Sequence, residues 1–488
     1  MITVVMGSVV PVAPDPAFAW EGPDPAAIER VVTGFAGRAG YPGVAVAITK
    51  GGRVVHVAGY GHDSTGAPVT GTTPMPVASV GKSFTALAVM RLAEAGKVTL
   101  DAPVRDYLPG FRIADPRGAR ITVRQLLNQT SGLTDRTLAE KSLPQPASPA
   151  DAVLRARRAT LAAEPGTKHF YTNTNYHIAA RLVEVVTGEP FSGHLRRHVF
   201  GPLGMRASTA IDLTPRDLPR GVAKGHVYAY GASIPATEPE RFVGGSDGVI
   251  TTAEDMARWL IVQGNGGRAA DGTRLLSAGS VAAMHTSSDP RWTYGMGWDT
   301  DGGGRVRHNG VWFTYTASQL LLPSGYGIAV LGNSGIGLGN EGTDQLANEL
   351  AALLTGGDPP SPAPARLVAD LVLAGLTLVS LLLGVRNLRR ARAWAERFAG
   401  RPAWRPAVRL LPRLVPLALA VSLPVLLGLL VGGGRDITRL QLGYYSVALV
   451  TWTTVAAVAN AGVLVVRTAV LARLRRSAAA GRTAGASS

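Results

Sequence analysis

The sequence contains no cysteine. That excludes disulfides, thiolate metal sites and a cysteine nucleophile. The absence does not fix a compartment, although it suits an exported bacterial protein of this size. Lysine is scarce: of six in the chain, only Lys82 stands three residues after a serine. Acidic residues are nearly missing from the C-terminal quarter, where Arg366–Ser488 holds 17 arginines and only Asp370, Glu396 and Asp436. Of the net charge of +16, this quarter carries +14, which leaves residues 1–365 close to neutral. A nucleic-acid binder would carry its basic surface on the folded domain, so this distribution argues against nucleic acid and reads as membrane topology.

What is present divides the chain. A length of 488 residues exceeds one compact domain. Three long apolar runs lie near the end, about 367–385, 414–431 and 444–466. Each is long enough to cross a bilayer core as a helix. Pro416 and Pro424 interrupt the second, which membrane helices tolerate. Nine arginines in Arg386–Arg413 and five from Arg467 onward put the first connection and the C-terminus on the cytoplasmic side. The glycine-rich connection Gly432–Gly443, and everything before the first span, then falls outside. That requires export. Residues 1–19 have the apolar stretch of a signal peptide, and Ala17-Phe18-Ala19 resembles a cleavage site, although no basic residue precedes the stretch. The expected organisation is a signal in 1–19, a catalytic domain in 20–354, a stiff Pro/Gly linker in 355–365, and a membrane domain in 366–488.

Within 24–354 the patterning is mixed. Val44–Thr49 and Val54–Gly59 are short β-branched runs joined across Gly51-Gly52, a hairpin signal. Arg305–His308, Thr316–Leu322 and Ile328–Asn333 read as further strands, and Ser79–Ala95 reads as a helix. The expected fold is α/β in the α+β sense: strands from both ends of the domain form one antiparallel sheet, with helices inserted between them.

Three motifs carry chemistry. Ser79-Val80-Gly81-Lys82 opens the predicted helix, where residues three apart share a face. The helix N-terminus favours a developing oxyanion, and a lysine lowered by burial could take the serine proton. The bland alternative is a capping serine beside a surface lysine. Gly81-Lys82-Ser83 also resembles the end of a phosphate-binding loop, but Pro76 stands where that loop needs glycine. Tyr171-Thr172-Asn173 places a phenol and an amide two apart, on one side of an extended chain. Its alternative is a polar loop capping the following helix. His308-Asn309-Gly310 ends a predicted strand. There His308 could supply a cation or proton donor, and Gly310 would let a substrate approach the backbone. A rival nucleophile, Ser246, sits in Gly244-Gly-Ser246-Asp-Gly248, but the preceding segment is too polar for the strand of an α/β-hydrolase elbow.

Taken in order, Ser-x-x-Lys, Tyr-x-Asn and His-x-Gly resemble the class C β-lactamase family of penicillin-recognising serine hydrolases. Ile121–Leu133 and Thr251–Trp259 are similar to further segments of that family, and the resemblance spans roughly Asp24–Leu354. It implies that Ser79 is the nucleophile, that Lys82 and Tyr171 share the role of base, and that Asn173 binds the acyl-side amide. His308 and Gly310 would border the site, and the N–H groups of Ser79 and Val311 would form the oxyanion hole. No cofactor or metal is implied. Two departures stand out. His308 replaces the lysine of the β-lactamases proper, which tilts the reading toward a peptidase- or esterase-like member. Val311-Trp312-Phe313-Thr314 replaces a Pro-Gly before the aromatic, with Thr314 at the glycine position. The partners expected are a small-molecule or peptide substrate and membrane lipid, with oligomeric state open. A non-catalytic sensor or binding module coupled to the membrane helices is the alternative.

Overall fold

A computed structural model describes residues 24–339, 342–430 and 434–484. The signal-like residues 1–19 lie outside them.

The chain begins with α1 (Pro25–Ala39), capped by the Asp24 side chain and ended by Gly40 in the left-handed conformation. A hairpin follows, β1 (Gly43–Lys50) and β2 (Arg53–Gly61). Both residues of its turn, Gly51 and Gly52, have positive φ, as a tight hairpin of this twist requires. Helices α2 (Gly81–Glu94), α3 (Asn173–Thr187) and α4 (Ala253–Gly264) belong to the long insertion between the hairpin and the remaining strands. Those strands are β3 (Asp299–Thr300), β4 (Val306–Val311), β5 (Thr316–Leu321) and β6 (Tyr326–Gly332). Helix α5 (Asp344–Leu354) closes the domain. The six strands form one antiparallel sheet in the order β3-β4-β5-β6-β1-β2. Its central pairing joins the two ends of the domain, as the strand pattern predicts: Val46 lies opposite Val330.

Alternation along the strands divides the core. Val44, Val46 and Ile48 of β1 face α1 and α5, together with Ile328 and Val330 of β6. Ala45, Ala47, Ala329 and Leu331 face the helices of the insertion. Small residues on that face let α2 and α4 come close to the sheet. Phe84 of α2 stacks on Trp259 of α4 with ring centroids 3.8 Å apart. Trp259 Nε1 donates to Gln319 Oε1 at 3.0 Å, and Gln319 Nε2 donates to Ser83 Oγ at 3.1 Å. The start of α2 is thus fixed to both the sheet and α4.

Among the described residues beyond α5, three helices are long and apolar enough to cross a membrane: α6 (Ala365–Arg389), α7 (Leu414–Leu430, extended back to Trp404 by short helical turns) and α9 (Val447–Ala484). A Cβ on Gly384 of α6 would meet Ala459 Cβ of α9 at 2.8 Å, so a small residue sets that helix crossing. The third span was expected from residue 444. Instead Arg439–Tyr445 forms a separate short helix, α8, packed against the catalytic domain. The linker also separates the two parts less than its composition suggests. Arg366, just inside α6, donates to Ala39 O at 3.1 Å and Gly335 O at 3.1 Å, and lies 4.1 Å from the Tyr228 ring centroid. Asp370 accepts from Tyr230 N at 2.8 Å.

Trp259→Ala should destabilise the catalytic domain by about 3–5 kcal/mol, because it removes a fully buried indole and its hydrogen bond. A thermal unfolding midpoint of the full chain lowered by several degrees is the expected outcome; an unchanged midpoint would contradict this account of the core.

Candidate active site

Ser79 lies in a 3₁₀ turn, Ala78–Val80, that runs into α2. Ala78, immediately before it, has φ +49°, a conformation costly for a residue with a Cβ. Such strain is held only where surrounding structure imposes it, and here it turns the serine out of the core. The turn is pinned by β4. A Cβ on Gly310 would stand 2.1 Å from Val77 O. Gly310 is therefore needed for strand-to-turn packing.

The reacting groups converge closely. Lys82 Nζ donates to Ser79 Oγ at 2.9 Å and to Asn173 Oδ1 at 2.8 Å. Asn173 is brought there by the start of α3, whose cap is Thr172. It is the first helical residue, so the tyrosine and asparagine do not converge along an extended strand. The Tyr171 ring centroid lies 5.0 Å from Lys82 Nζ. Val311 ends β4 and lines the same cleft of about 340 Å³ as Ser79, Tyr171 and Asn173.

Sequence reasoning missed Asp247. Its carboxylate accepts from Ser79 Oγ at 2.7 Å, Lys82 Nζ at 3.1 Å, Asn173 Nδ2 at 3.2 Å and Arg241 Nη1 at 3.2 Å. Burial works against its charge, but Lys82 and Arg241 outweigh that and hold the carboxyl well below the usual range. For Lys82, burial likewise works downward, and Asp247 and then Tyr171 more than reverse it. The lysine is therefore held above its ordinary value, opposite to the lowering expected from sequence. A signal existed: Asp247 sits inside the glycine-rich segment scrutinised for Ser246. Ser246 itself is buried, its hydroxyl turned to Val243 O at 3.4 Å and its carbonyl accepting from Lys82 at 3.3 Å.

His308 is also corrected. It is buried, with Nδ1 donating to Asn309 O at 2.6 Å and Nε2 accepting from Tyr294 Oη at 3.0 Å. Burial first, then the Lys82 charge, lowers it to about 3, so it is neutral and supplies no cation. Thr314, at the unexpected position, is accommodated by Glu238. That carboxylate accepts from Phe313 N at 3.1 Å, Thr314 N at 3.2 Å and Thr314 Oγ1 at 2.8 Å.

The cleft has a wall that belongs to the membrane domain. The connection between α7 and α9 carries Arg435, whose Nε donates to Asp135 Oδ2 at 2.8 Å and whose guanidinium lies 4.9 Å from the Tyr171 ring centroid. Burial opposes its charge, while Asp135 and Tyr171 more than compensate and keep it cationic. Asp436 fixes the connection by accepting from Lys141 N at 2.9 Å, Ser142 N at 2.8 Å and Ser142 Oγ at 2.7 Å. Tyr444 Oη donates to Thr237 O at 2.8 Å, and Tyr444 and Tyr445 pack on Phe313. The sequence reads this segment only as a short loop outside the membrane; Asp436, one of three acids in that quarter, was its one distinguishing sign. Elsewhere, Glu189, His194 and His198 bring possible metal-ligand atoms together, but Arg197 pairs with Glu189 Oε2 at 3.0 Å.

Comparison with known proteins bears on the fold and the family. Penicillin-binding protein 4 of Amycolatopsis lactamdurans is 35% identical over 327 residues, covering 60% of this chain and 81% of that protein. Protein flp of Staphylococcus aureus is 28% identical over 303 residues; the match covers 60% of this chain and 59% of flp. Among solved structures, the octameric penicillin-binding protein homologue from Pyrococcus abyssi superposes with a TM-score of 0.59 at 26% identity, covering 72% of this chain and 81% of that one. The D-amino acid amidase from Ochrobactrum anthropi superposes with a TM-score of 0.53 at 26% identity, covering 64% and 91%. The Beta-lactamase family model matches residues 28–353, a span that holds every group gathered around Ser79 except the membrane-domain wall, and the chain belongs to that family.

Proposed function

We propose that this protein is a membrane-anchored serine hydrolase that works through an acyl-enzyme on Ser79. Its substrates are amides or esters of the kind formed by D-amino-acid peptides, simple esters or β-lactams. The observation that carries the reading is the 2.9 Å contact between Lys82 Nζ and Ser79 Oγ, inside a cleft that Tyr171 and Asn173 also line. Ser79 Oγ attacks the carbonyl, and the N–H groups of Ser79 and Val311 hold the oxyanion. Lys82 and Tyr171 take up the serine proton and return it to the leaving group. Asn173 orients the acyl-side amide. Water then releases the acyl group. The neutral His308 offers no charge to a substrate carboxylate, which favours ester and amide substrates over β-lactams. The arginine-rich first connection and tail support an orientation with the catalytic domain outside the cytoplasm.

Ser79→Ala should remove fluorophosphonate labelling and lower kcat/KM by about three orders of magnitude or more on whichever responds among a chromogenic β-lactam, a D-Ala-D-Ala peptide and short-chain esters. Full activity in that variant would rule out the mechanism. Because the chain lacks cysteine, Leu154→Cys, at an exposed position of the catalytic domain, gives a single thiol. A membrane-impermeant maleimide should label it in intact cells; labelling only after lysis would reverse the orientation.

Asp247 sets the pH dependence. A base at Lys82 must be neutral, and the ionised Asp247 delays that to high pH. Asp247→Asn leaves burial as the dominant influence, which lowers the lysine. The rising limb of kcat/KM should therefore move to lower pH. Loss of activity at every pH, with the fold intact, would instead make Asp247 the proton acceptor. The same held ammonium favours a second reading, a non-catalytic binding module: it predicts no labelling of Ser79 and no ester turnover in either wild type or Asp247→Asn.

A further inference from the structure

A second cavity abuts the cleft that holds Ser79. Ile336, Ile437 and Tyr445 line the cleft and also line this larger cavity of about 710 Å³. The two spaces therefore lie side by side, with these three residues between them. The second cavity has two unlike sides. On the catalytic-domain side stands the ion pair of Arg307 and Asp344, 3.6 Å apart. On the other side stand Leu427 of α7, Leu442 of α8 and Leu449 of α9. Leu427 and Leu449 occupy the ends of their helices nearest the catalytic domain, where apolar chains of a bilayer leaflet begin.

We infer that this protein acts on a membrane-resident amphiphile, an ester or amide of a long acyl chain, which enters between α7 and α9. The acyl chain lies along the leucine-lined cavity. The scissile carbonyl passes Ile437 and Tyr445 to reach Ser79, and the polar remainder of the molecule sits beneath Arg435. This identifies the substrate class within the serine-hydrolase reading and rests on that reading. Three observations support it together. The cavity next to the Ser79 cleft reaches the apolar helices. The wall between cleft and cavity is built mainly by Ile437 and Tyr445 of the C-terminal helical part, with Ile336. That wall is held by the hydrogen bonds of Asp436 and Tyr444, so the neighbouring cavities are a fixed feature of the fold. A short soluble substrate would have no use for the leucine-lined half. Each methylene buried there would favour a long chain by roughly fourfold at most.

The test uses the full-length protein in phosphatidylcholine vesicles with two fluorophosphonates, one ethyl and one dodecyl, and follows the rate of Ser79 modification. Wild type should react with the dodecyl probe at least about tenfold faster. Partition of the longer probe into lipid also raises its rate, so the deciding arms are Leu449→Trp and Leu427→Trp. These fill the cavity from two different helices without changing partition. Both should lose most of the dodecyl preference while the ethyl rate stays within about twofold of wild type. The ethyl rate also reports that the catalytic domain remains folded. Absence of a dodecyl preference in wild type, or a preference kept in both variants, overturns the proposal. If Ser79 reacts with neither probe, the acyl-enzyme reading fails as well, and that result is distinct from reaction without chain-length dependence.

Discussion

The buried ion pair of Lys82 and Asp247 is the interaction on which the site is organised. Neither side chain is accessible to any useful extent, at 0% and 4%, and their charged atoms are 3.1 Å apart. An isolated ion at this depth would cost several kcal/mol, so each charge requires the other and further hydrogen bonds besides. Ser79, Asn173 and Arg241 supply them. Four separate stretches of chain are thereby held to one point: the turn before α2, the start of α3, and the segments around Arg241 and Asp247. The arrangement also fixes protonation, because an ammonium facing a carboxylate in low dielectric stays charged. Ser79 thus rests hydrogen-bonded to both members of that pair.

The strain at Ala78 and the packing of Gly310 serve the same end. The turn cannot relax while β4 lies against Val77, and β4 is itself held in the sheet by its pairing with β5. Phe84, Trp259 and Gln319 secure the other side of α2. Rigid elements thus position the serine. The membrane domain joins this scheme through Arg366 and Asp370 at one place and Arg435, Asp436 and Tyr444 at another. Two separated attachments resist hinge motion in a way that a single linker could not. The catalytic cleft is consequently bounded in part by residues some 300 positions later in the chain, as in the bond between Arg435 and Asp135.

Much of this was legible in the residues. The β-branched runs and the Gly51-Gly52 turn marked the hairpin, because alternation and positive φ are local requirements. The apolar runs marked the three helices long and apolar enough to cross a membrane, since crossing a bilayer constrains composition along a contiguous segment. Ser79 and Lys82 were legible because their spacing places them together on one helix whatever surrounds it. Tyr171, Asn173 and His308 became candidates only through order and resemblance, and their behaviour was less readable. His308 looked like a polar group at the edge of the site, yet burial keeps it neutral and turns it toward Tyr294.

By itself the sequence determined the β-lactamase-family domain, the pairing of Ser79 with Lys82 on one helical turn, and the presence of apolar helices, because each depends on local spacing or local composition. Only the tertiary structure decided the charge state of that lysine, the part played by Asp247, and the closing of the cleft by Arg435. Those depend on distances between segments far apart in the chain and on how much water remains between them. Neither quantity is written in any single stretch of residues.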